Sequence, residues 1–379
     1  MNMKTNCFFN TAIVLFILLF FSLGILTDAS AAGKYKDYPV PQACMDQVKK
    51  EGSKLYIYDW AEWWPEELFK NFTKEFGVKI VRDHYADTEE MVTKLKLNPN
   101  TPYDLILGAG PTDAVRLHKM KRLKELNHAW LPNMTAYLKD EHKNMPFDPG
   151  NKFQFVDSIF YTTYTYNSKY VDQNDPLMGS WGLLFKGEKY KGKITMIDNG
   201  QDTIGAALKY LGYSWTSDVK EELMEAKALL MAQKPIVAAY DSWPSRLLKD
   251  EDVWISHLWI GDGWWLSRDK PEIKSVIPKE GTYYAGNTGF IPKGSQHTAA
   301  AHLFINYLFR TEVNVLLVET IGYPPIHKHT MEFMSDEMKA WPGFVVDEEW
   351  QRKCDTFSMT LVEGPGKELR DKIWEEIKK

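Results

Sequence analysis

Residues 54–60, KLYIYDW, alternate apolar and polar side chains, and a few positions later Pro65 opens a helical pattern in which Leu68, Phe69, Phe72 and Phe76 share one face before Gly77. This strand-then-helix order limits the fold more than any other feature, because a strand followed by an amphipathic helix returns the chain to the same edge of a sheet. The order recurs. A short strand at 78–81 precedes Asp87-Thr88-Glu89-Glu90, which has the spacing of a capping box ahead of a helix bearing Met91 and Leu95, and YDLIL at 103–107 reads as a buried strand. Farther on, KITMI at 193–197 is a strand, and 203–211 is a helix with Ile204, Leu208 and Leu211 on one side. A second helix after Ser217 carries Val219, Leu223, Ala226 and Leu230 and is closed by Pro235, and strands follow at 236–239, 253–259 and 273–277. Strands alternating with helices predict an α/β fold with a parallel sheet covered on both faces.

The first residues carry Lys4, an apolar run from Ala12 to Leu26, and Ala29-Ser30-Ala31, the small-x-small pattern of a cleavage site. The run is short for a membrane span, so residues 1–31 read as a signal peptide, with Ala32 starting a mature chain released into the periplasm. Removing 31 of the 379 residues leaves about 348, more than the ~250–300 at which a single core stops growing. Two α/β lobes are predicted: residues 53–156 plus 286–328, and residues 157–285 plus 329–379, the chain crossing back near 281–292. No flexible linker separates them, so the hinge is made of strands.

A net charge of −5 gives no reason to expect nucleic acid or an anionic membrane as a partner. Cys7 falls in the signal peptide; Cys44 and Cys354 are left in an oxidising compartment, either as a disulfide tying the two ends together or as two buried, inert thiols. GxSxG, HExxH, GxxxxGK[ST] and DxDxDG motifs are all missing. Gly108-Ala109-Gly110 begins like a dinucleotide fingerprint, but Asp113 stands where the third glycine is needed, so no cofactor is expected. Fourteen tryptophans are many for such a chain; most read as core, and a ligand site lined by aromatic faces would use a few of them.

Several segments, in order along the chain, carry a family resemblance: YDWAEWWP (58–65), TPYDLIL (101–107), KYKGKITMID (189–198), ALKYLGYS (207–214), LWIGDGWW (258–265) and VETIGYPP (318–325). Together they resemble the spermidine/putrescine-binding proteins of bacterial polyamine importers. The resemblance implies a type II periplasmic-binding-protein fold: a monomeric clamp that holds a small amine or polyamine-like ligand between its lobes, performs no chemistry on it, and delivers it to the permease subunits of an ABC transporter. It also implies the ligand site. Trp60, Glu62 and Trp63 follow the first strand, Asp202 lies beyond KITMI, and Trp259, Asp262 and Tyr323 match a stacking ring, an acid and a tyrosine; Gln351 is a weaker match. Carboxylates would pair with ammonium groups while rings cover the methylenes, each cation–π contact adding about 0.5–2 kcal/mol.

The chain departs from that pattern at Ala285-Gly286-Asn287, where an aromatic and an aspartate are usual, at Asn199 in place of an acid, and at Gly108 and Gly110 in place of a serine and a tyrosine. Asn287 and Asn199 are kept as ligand contacts, and the lost charge predicts a ligand with one cationic end, unless Trp264, Trp265 or Tyr284 fills the space at Ala285. Three other readings stay open. Tyr283-Tyr284 resembles the tyrosine dyad of ferric-ion binding proteins; Glu62 and Asp202 would serve a periplasmic enzyme as acid and base; and such a clamp can also report to a chemoreceptor.

Overall fold

The computed structural model describes residues 34–379 except 62, 86, 146 and 345–347, so the signal peptide with Cys7 and its cleavage site lie outside the described residues. Residues 37–379 form one unit built on a mixed sheet. Its strands are β1 (Lys54–Trp60), β2 (Lys79–Tyr85), β3 (Leu105–Ala109), β4 (Gln154–Asn167), β5 (Ile194–Ile197), β6 (Val237–Asp241), β7 (Ile255–Trp259), β8 (Ile273–Val276) and β9 (Tyr284–Phe290). They run in the order β2-β1-β3-β9-β4-β7-β5-β6, with β8 also paired to β4.

The alternation in KLYIYDW places Leu55 and Ile57 in the apolar core against the Glu66–Phe76 helix, whose Leu68, Phe69 and Phe72 are buried. That helix stops where Gly77 takes φ +65, a left-handed conformation that glycine adopts without a Cβ clash. Asp87 caps the Thr88–Leu97 helix by accepting from the amides of Glu89 and Glu90 at 2.7 and 3.0 Å. On the far side of the sheet Ile204, Leu208, Leu223, Ala226 and Leu230 build a second cluster around Trp181 and Trp215.

Parallel pairing holds only in the outer parts of the sheet, β2-β1-β3 and β7-β5-β6. Its centre is antiparallel, β3-β9-β4 and β4-β7, which corrects the expectation of a parallel sheet. The strand that changes the topology is β4. Buried along nearly all of its fourteen residues, it has no polar face to produce an alternating pattern. It pairs with β9 through Tyr161 and with β7 from Thr162 onward, so it passes continuously from one outer part of the sheet to the other. The predicted division at 156/157 falls inside β4 and that at 285/286 inside β9. Smaller differences have local causes. The strand in YDLIL starts at Leu105 because Asp104 turns inward, accepting from the amides of Tyr56, Gln296 and His297. The helix after KITMI begins at Gly200, ahead of the predicted start, because Asn199 caps it.

The disulfide expectation is not met. The Cys44 thiol donates to the Ala299 carbonyl at 3.7 Å, where the Gln42–Lys50 helix packs on the Thr298–Leu308 helix, and the Cys354 thiol donates to the Trp350 carbonyl at 3.5 Å. Each thiol is satisfied on its own helix contact, and burial pushes both up to about 12.

Two tests follow from this packing. Thiol titration without reductant should find Cys44 and Cys354 unreactive in the native protein and both reactive after unfolding; loss of two thiols in the unfolded chain would restore the disulfide. A Cβ at Gly205 would lie 2.0 Å from Trp215 Cε2, so Gly205→Ala should lower stability in urea melts by about 1–3 kcal/mol, despite alanine's better helix propensity.

Candidate functional site

β1 ends at Trp60, whose half-buried ring stands edge-on to Tyr85, with centroids 5.2 Å apart. Tyr85 is fixed by its hydroxyl, which donates to the Leu107 carbonyl at 2.6 Å. Beside it Gly108 takes φ +75, and a Cβ there would sit 3.0 Å from Trp63 Cζ3 and 3.6 Å from the Tyr85 hydroxyl. The glycine that replaces a family serine is therefore what lets the Trp63 ring lie over the end of β3. Trp63 continues edge-on to Tyr323 at 5.6 Å, so Trp60, Tyr85, Trp63 and Tyr323 form an aromatic wall. Glu62, which the sequence places between Trp60 and Trp63, lies outside the described residues.

The carboxylates come from helix starts in the other part of the sheet. Asn199 Oδ1 accepts from the amides of Gln201 and Asp202 at 2.9 and 3.2 Å; as the cap of the Gly200–Tyr210 helix, its carboxamide oxygen is already engaged. Asp202 in the first turn is buried, and its Oδ1 has no hydrogen-bond partner among the described residues. β7 ends at the half-buried Trp259, which leads into the Ile260–Asp269 helix with Asp262 in its first turn. Asp262 keeps some contact with solvent, yet the depth of protein around it dominates, and burial pushes both Asp202 and Asp262 up to about 7.

Tyr323 joins these groups. A Cβ on Gly261 would fall 2.1 Å from its ring, so the ring packs directly on the helix start that carries Asp262. The Tyr323 hydroxyl is held well above the usual tyrosine range by burial and then by Asp262 and Asp202. Tyr283 is shifted the same way by burial, Asp202 and Asp113, and its buried hydroxyl has no partner among the described residues. Trp63, Tyr323, Asp262 and Asp202 are thus brought together, with Trp60 at one side and Trp259 next to the Asp262 turn. Gln351 is instead exposed on the Glu348–Lys353 helix, while its neighbour Trp350 is buried and donates to the Pro278 carbonyl at 2.7 Å.

Sequence reasoning missed two further acids. Asp157 lies at a register shift between Val156 and Ser158, a bulge that re-aims its side chain. Its Oδ2 accepts from the Gly108 amide at 2.8 Å and its Oδ1 from Ser158 Oγ at 3.0 Å, and burial pushes it up to about 7. Asn287, opposite Ser158 on β9, donates from Nδ2 to Ser158 Oγ at 3.2 Å. The aspartate missing at 287 thus has a carboxylate one hydroxyl away on the neighbouring strand. Asp113, read only as a failed glycine, is buried in the first turn of the Pro111–Lys119 helix and pushed up to about 6 by burial, with Arg116 opposing from 3.5 Å. Nothing local in the sequence distinguishes either acid.

The ring missing at 285 has a counterpart too: Phe160 faces Ala285 across the strand pair and stands edge-on to Tyr283 at 5.9 Å. The three residues expected to fill that space are held elsewhere. Trp264 and Trp265 donate to the carbonyls of Glu319 and Thr320, and Tyr284 packs against Tyr161. Tyr283 packs against Trp215 and Phe160, so the two tyrosines diverge and do not converge on one ion.

Comparisons with known proteins identify the family. Residues 67–345 match the bacterial extracellular solute-binding protein family. The putrescine/cadaverine-binding protein of Pseudomonas aeruginosa is 28% identical over 343 residues, covering 86% of this chain and 93% of that one. The spermidine/putrescine-binding periplasmic protein of Escherichia coli is 30% identical over 290 residues, covering 76% and 82%. A spermidine/putrescine ABC transporter substrate-binding protein of Streptococcus pneumoniae, solved with calcium and HEPES, shares the fold at a TM-score of 0.74 and 24% identity, covering 86% and 98%. Among the described residues no helix is long and apolar enough to cross a membrane. With the family match running from the first long helix past Tyr323, this chain belongs to the bacterial extracellular solute-binding proteins.

Proposed function

We propose that this protein is the solute receptor of an ABC importer for a small cationic amine of the putrescine type. It works as a monomer in the periplasm and hands its ligand unchanged to the permease. The observation that carries the reading is the Asp202 carboxylate, buried with one oxygen unpartnered among the described residues and set beside Asp262 and Tyr323. No lysine or arginine among the described residues offsets the burial of Asp202 or Asp262. An uncompensated buried carboxylate costs several kcal/mol, and an ammonium ligand supplies the missing partner. The names of the relatives, periplasmic and polyamine-binding, support the compartment and the ligand class. Residues 53–156 plus 286–328 form one jaw and residues 157–285 plus 329–379 the other, bending at β4 and β9 as the ligand is enclosed.

Titration calorimetry with putrescine, cadaverine and spermidine should show micromolar or tighter binding, and mass spectrometry of the recovered ligand should show no change. A protein that binds none of the three, or that returns a modified amine, ends the proposal. Asp202→Asn should weaken binding by about 1.5–3 kcal/mol, roughly ten- to 150-fold.

The same group couples binding and stability to pH. Its folded-state pKa of about 7 lies above the ordinary aspartate value, so the ligand-free protein binds more protons folded than unfolded and loses stability as pH rises through that window. Asp202→Asn should therefore raise the melting temperature of the ligand-free protein more at pH 8 than at pH 5.5. Binding has the opposite slope, since the ammonium needs the ionised acid: the parent's affinity should fall at least about tenfold from pH 7.5 to 5.5. A pH-independent affinity would remove these carboxylates from ligand contact.

A further inference from the structure

We propose that residues 355–363 form a strap that fastens the β7-β5-β6 part of the molecule to the β2-β1-β3 part, through Phe357 on Phe147 and Glu363 on Lys119, and so sets how readily the clamp opens and releases its ligand. This deepens the proposed function and rests on it. Lys119 ends the Pro111–Lys119 helix, whose Ala114 and Leu117 are buried with Tyr58, Tyr85 and Phe290 in the first part. Phe147 lies in the turn closed by the bridge between Met145 and Asp148, where Asp148 accepts from the amides of Lys152, Phe153 and Gln154 just ahead of β4. Two residues of the strap meet them. The rings of Phe147 and Phe357 stand edge-on with centroids 4.4 Å apart, and Lys119 Nζ lies 2.6 Å from Glu363 Oε1.

The strap holds the other part far more firmly. Asp355 pairs with the chain at the start of β9, its amide donating to the Thr282 carbonyl at 2.9 Å and its carbonyl accepting from the Tyr284 amide at 2.8 Å. Its carboxylate accepts from Ser214 Oγ at 2.6 Å and from Lys209 Nζ and the Trp215 amide, each at 2.9 Å. Thr360 Oγ1 donates to the Thr216 carbonyl at 2.7 Å, and Leu361 is buried in the cluster around Trp181 and Trp215. The contacts on the first part are few and shallow by comparison, with the Lys119 and Glu363 side chains 45% and 61% exposed. An ion pair this open to water biases an equilibrium by at most about fivefold, and an edge-on ring pair by about two- to twelvefold. Neither contact involves β4 or β9, so turning one part against the other about those strands separates both. A fastening of that size favours the closed arrangement without locking it, and a strap anchored firmly at one end and lightly at the other can let go without unfolding.

Small-angle scattering of the ligand-free protein and stopped-flow binding of putrescine test the strap. Phe357→Ala should enlarge the ligand-free radius of gyration and speed putrescine release about two- to tenfold, with the association rate changed by less than about twofold, because the contact forms only as the two parts close. Charge reversal at either end, Lys119→Glu or Glu363→Lys, should speed release about three- to tenfold at low ionic strength. The double reversal should restore the parent's rate, and molar salt should erase the differences among these charge variants. The reversals carry the test if circular dichroism shows that Phe357→Ala is not native. Native variants that keep the parent's radius of gyration and release rate overturn the strap and leave the proposed function standing. Variants that lose thermal stability with release unchanged overturn it as well, as does a double reversal that releases as fast as the single ones. A parent that binds no putrescine takes down the proposed function, and the ligand-free scattering comparison then decides by itself whether the strap holds the two parts together.

Discussion

Taking a carboxylate out of water without a counter-ion costs several kcal/mol, and a chain whose total stability is on the order of 5–15 kcal/mol does not sustain that without a reason. Here Asp157 and Asp202 are buried, and Asp262 is surrounded deeply enough to behave as they do; all three are pushed up to about 7 by burial, with no described cation opposing it. The contrast with the rest of the molecule is informative. Asp104 is fully buried as well, but it accepts from three backbone amides and lies 2.8 Å from His297 Nδ1. Asp59 is buried against Arg82 and His84 at 2.8 and 2.6 Å. The chain can satisfy buried acids where they serve the scaffold, and at the site it leaves them short of positive charge.

The scaffold is arranged to keep those acids where they are. Asp113, Asp202 and Asp262 each lie in the first turn of a helix that follows a strand, where the backbone amides point toward the acid and the helix dipole favours negative charge. Glycine supplies the close contacts: Gly108 lets Trp63 approach the end of β3, and Gly261 lets Tyr323 lie on the turn that holds Asp262. Asp157 is positioned differently, by a bulge in β4, the strand that pairs with β9 at one end and with β7 at the other. The antiparallel centre of the sheet is thus both the connection between its two parallel parts and the holder of one of its charged groups.

This division explains which parts were legible in the sequence. Helix caps and alternating strands announce themselves locally, and so the Glu66–Phe76 and Thr88–Leu97 helices, β1 and β5 were found close to their true bounds. The acids at helix starts after recognisable strands, Asp202 and Asp262, came with the motifs KITMID and WIGDGWW. β4 was missed because burial on both faces erases the period-two signal, and Asp157 was missed with it, since a bulge depends on the register between strands far apart in the sequence. Asp113 was dismissed for failing a glycine pattern that the chain does not use. The pairing of Cys44 with Cys354 was argued from compartment and chain ends, and neither of those fixes where two helices pack.

The same limit shaped the count of charge at the site. A position-by-position reading treats Ala285 and Asn287 as losses, because it compares each residue with one residue of the family pattern. Physically a ligand responds to the groups around it and not to the strand they come from. On adjacent antiparallel strands, paired residues present their side chains on the same face, so Phe160 stands opposite Ala285 and Ser158 opposite Asn287. The Phe160 ring on β4 borders Tyr283, and the Asp157 carboxylate is tied to Asn287 through Ser158. The place of Asp157 beside Ser158 and Asn287 is therefore set by the register of β4 on β9, which no single segment of the sequence records.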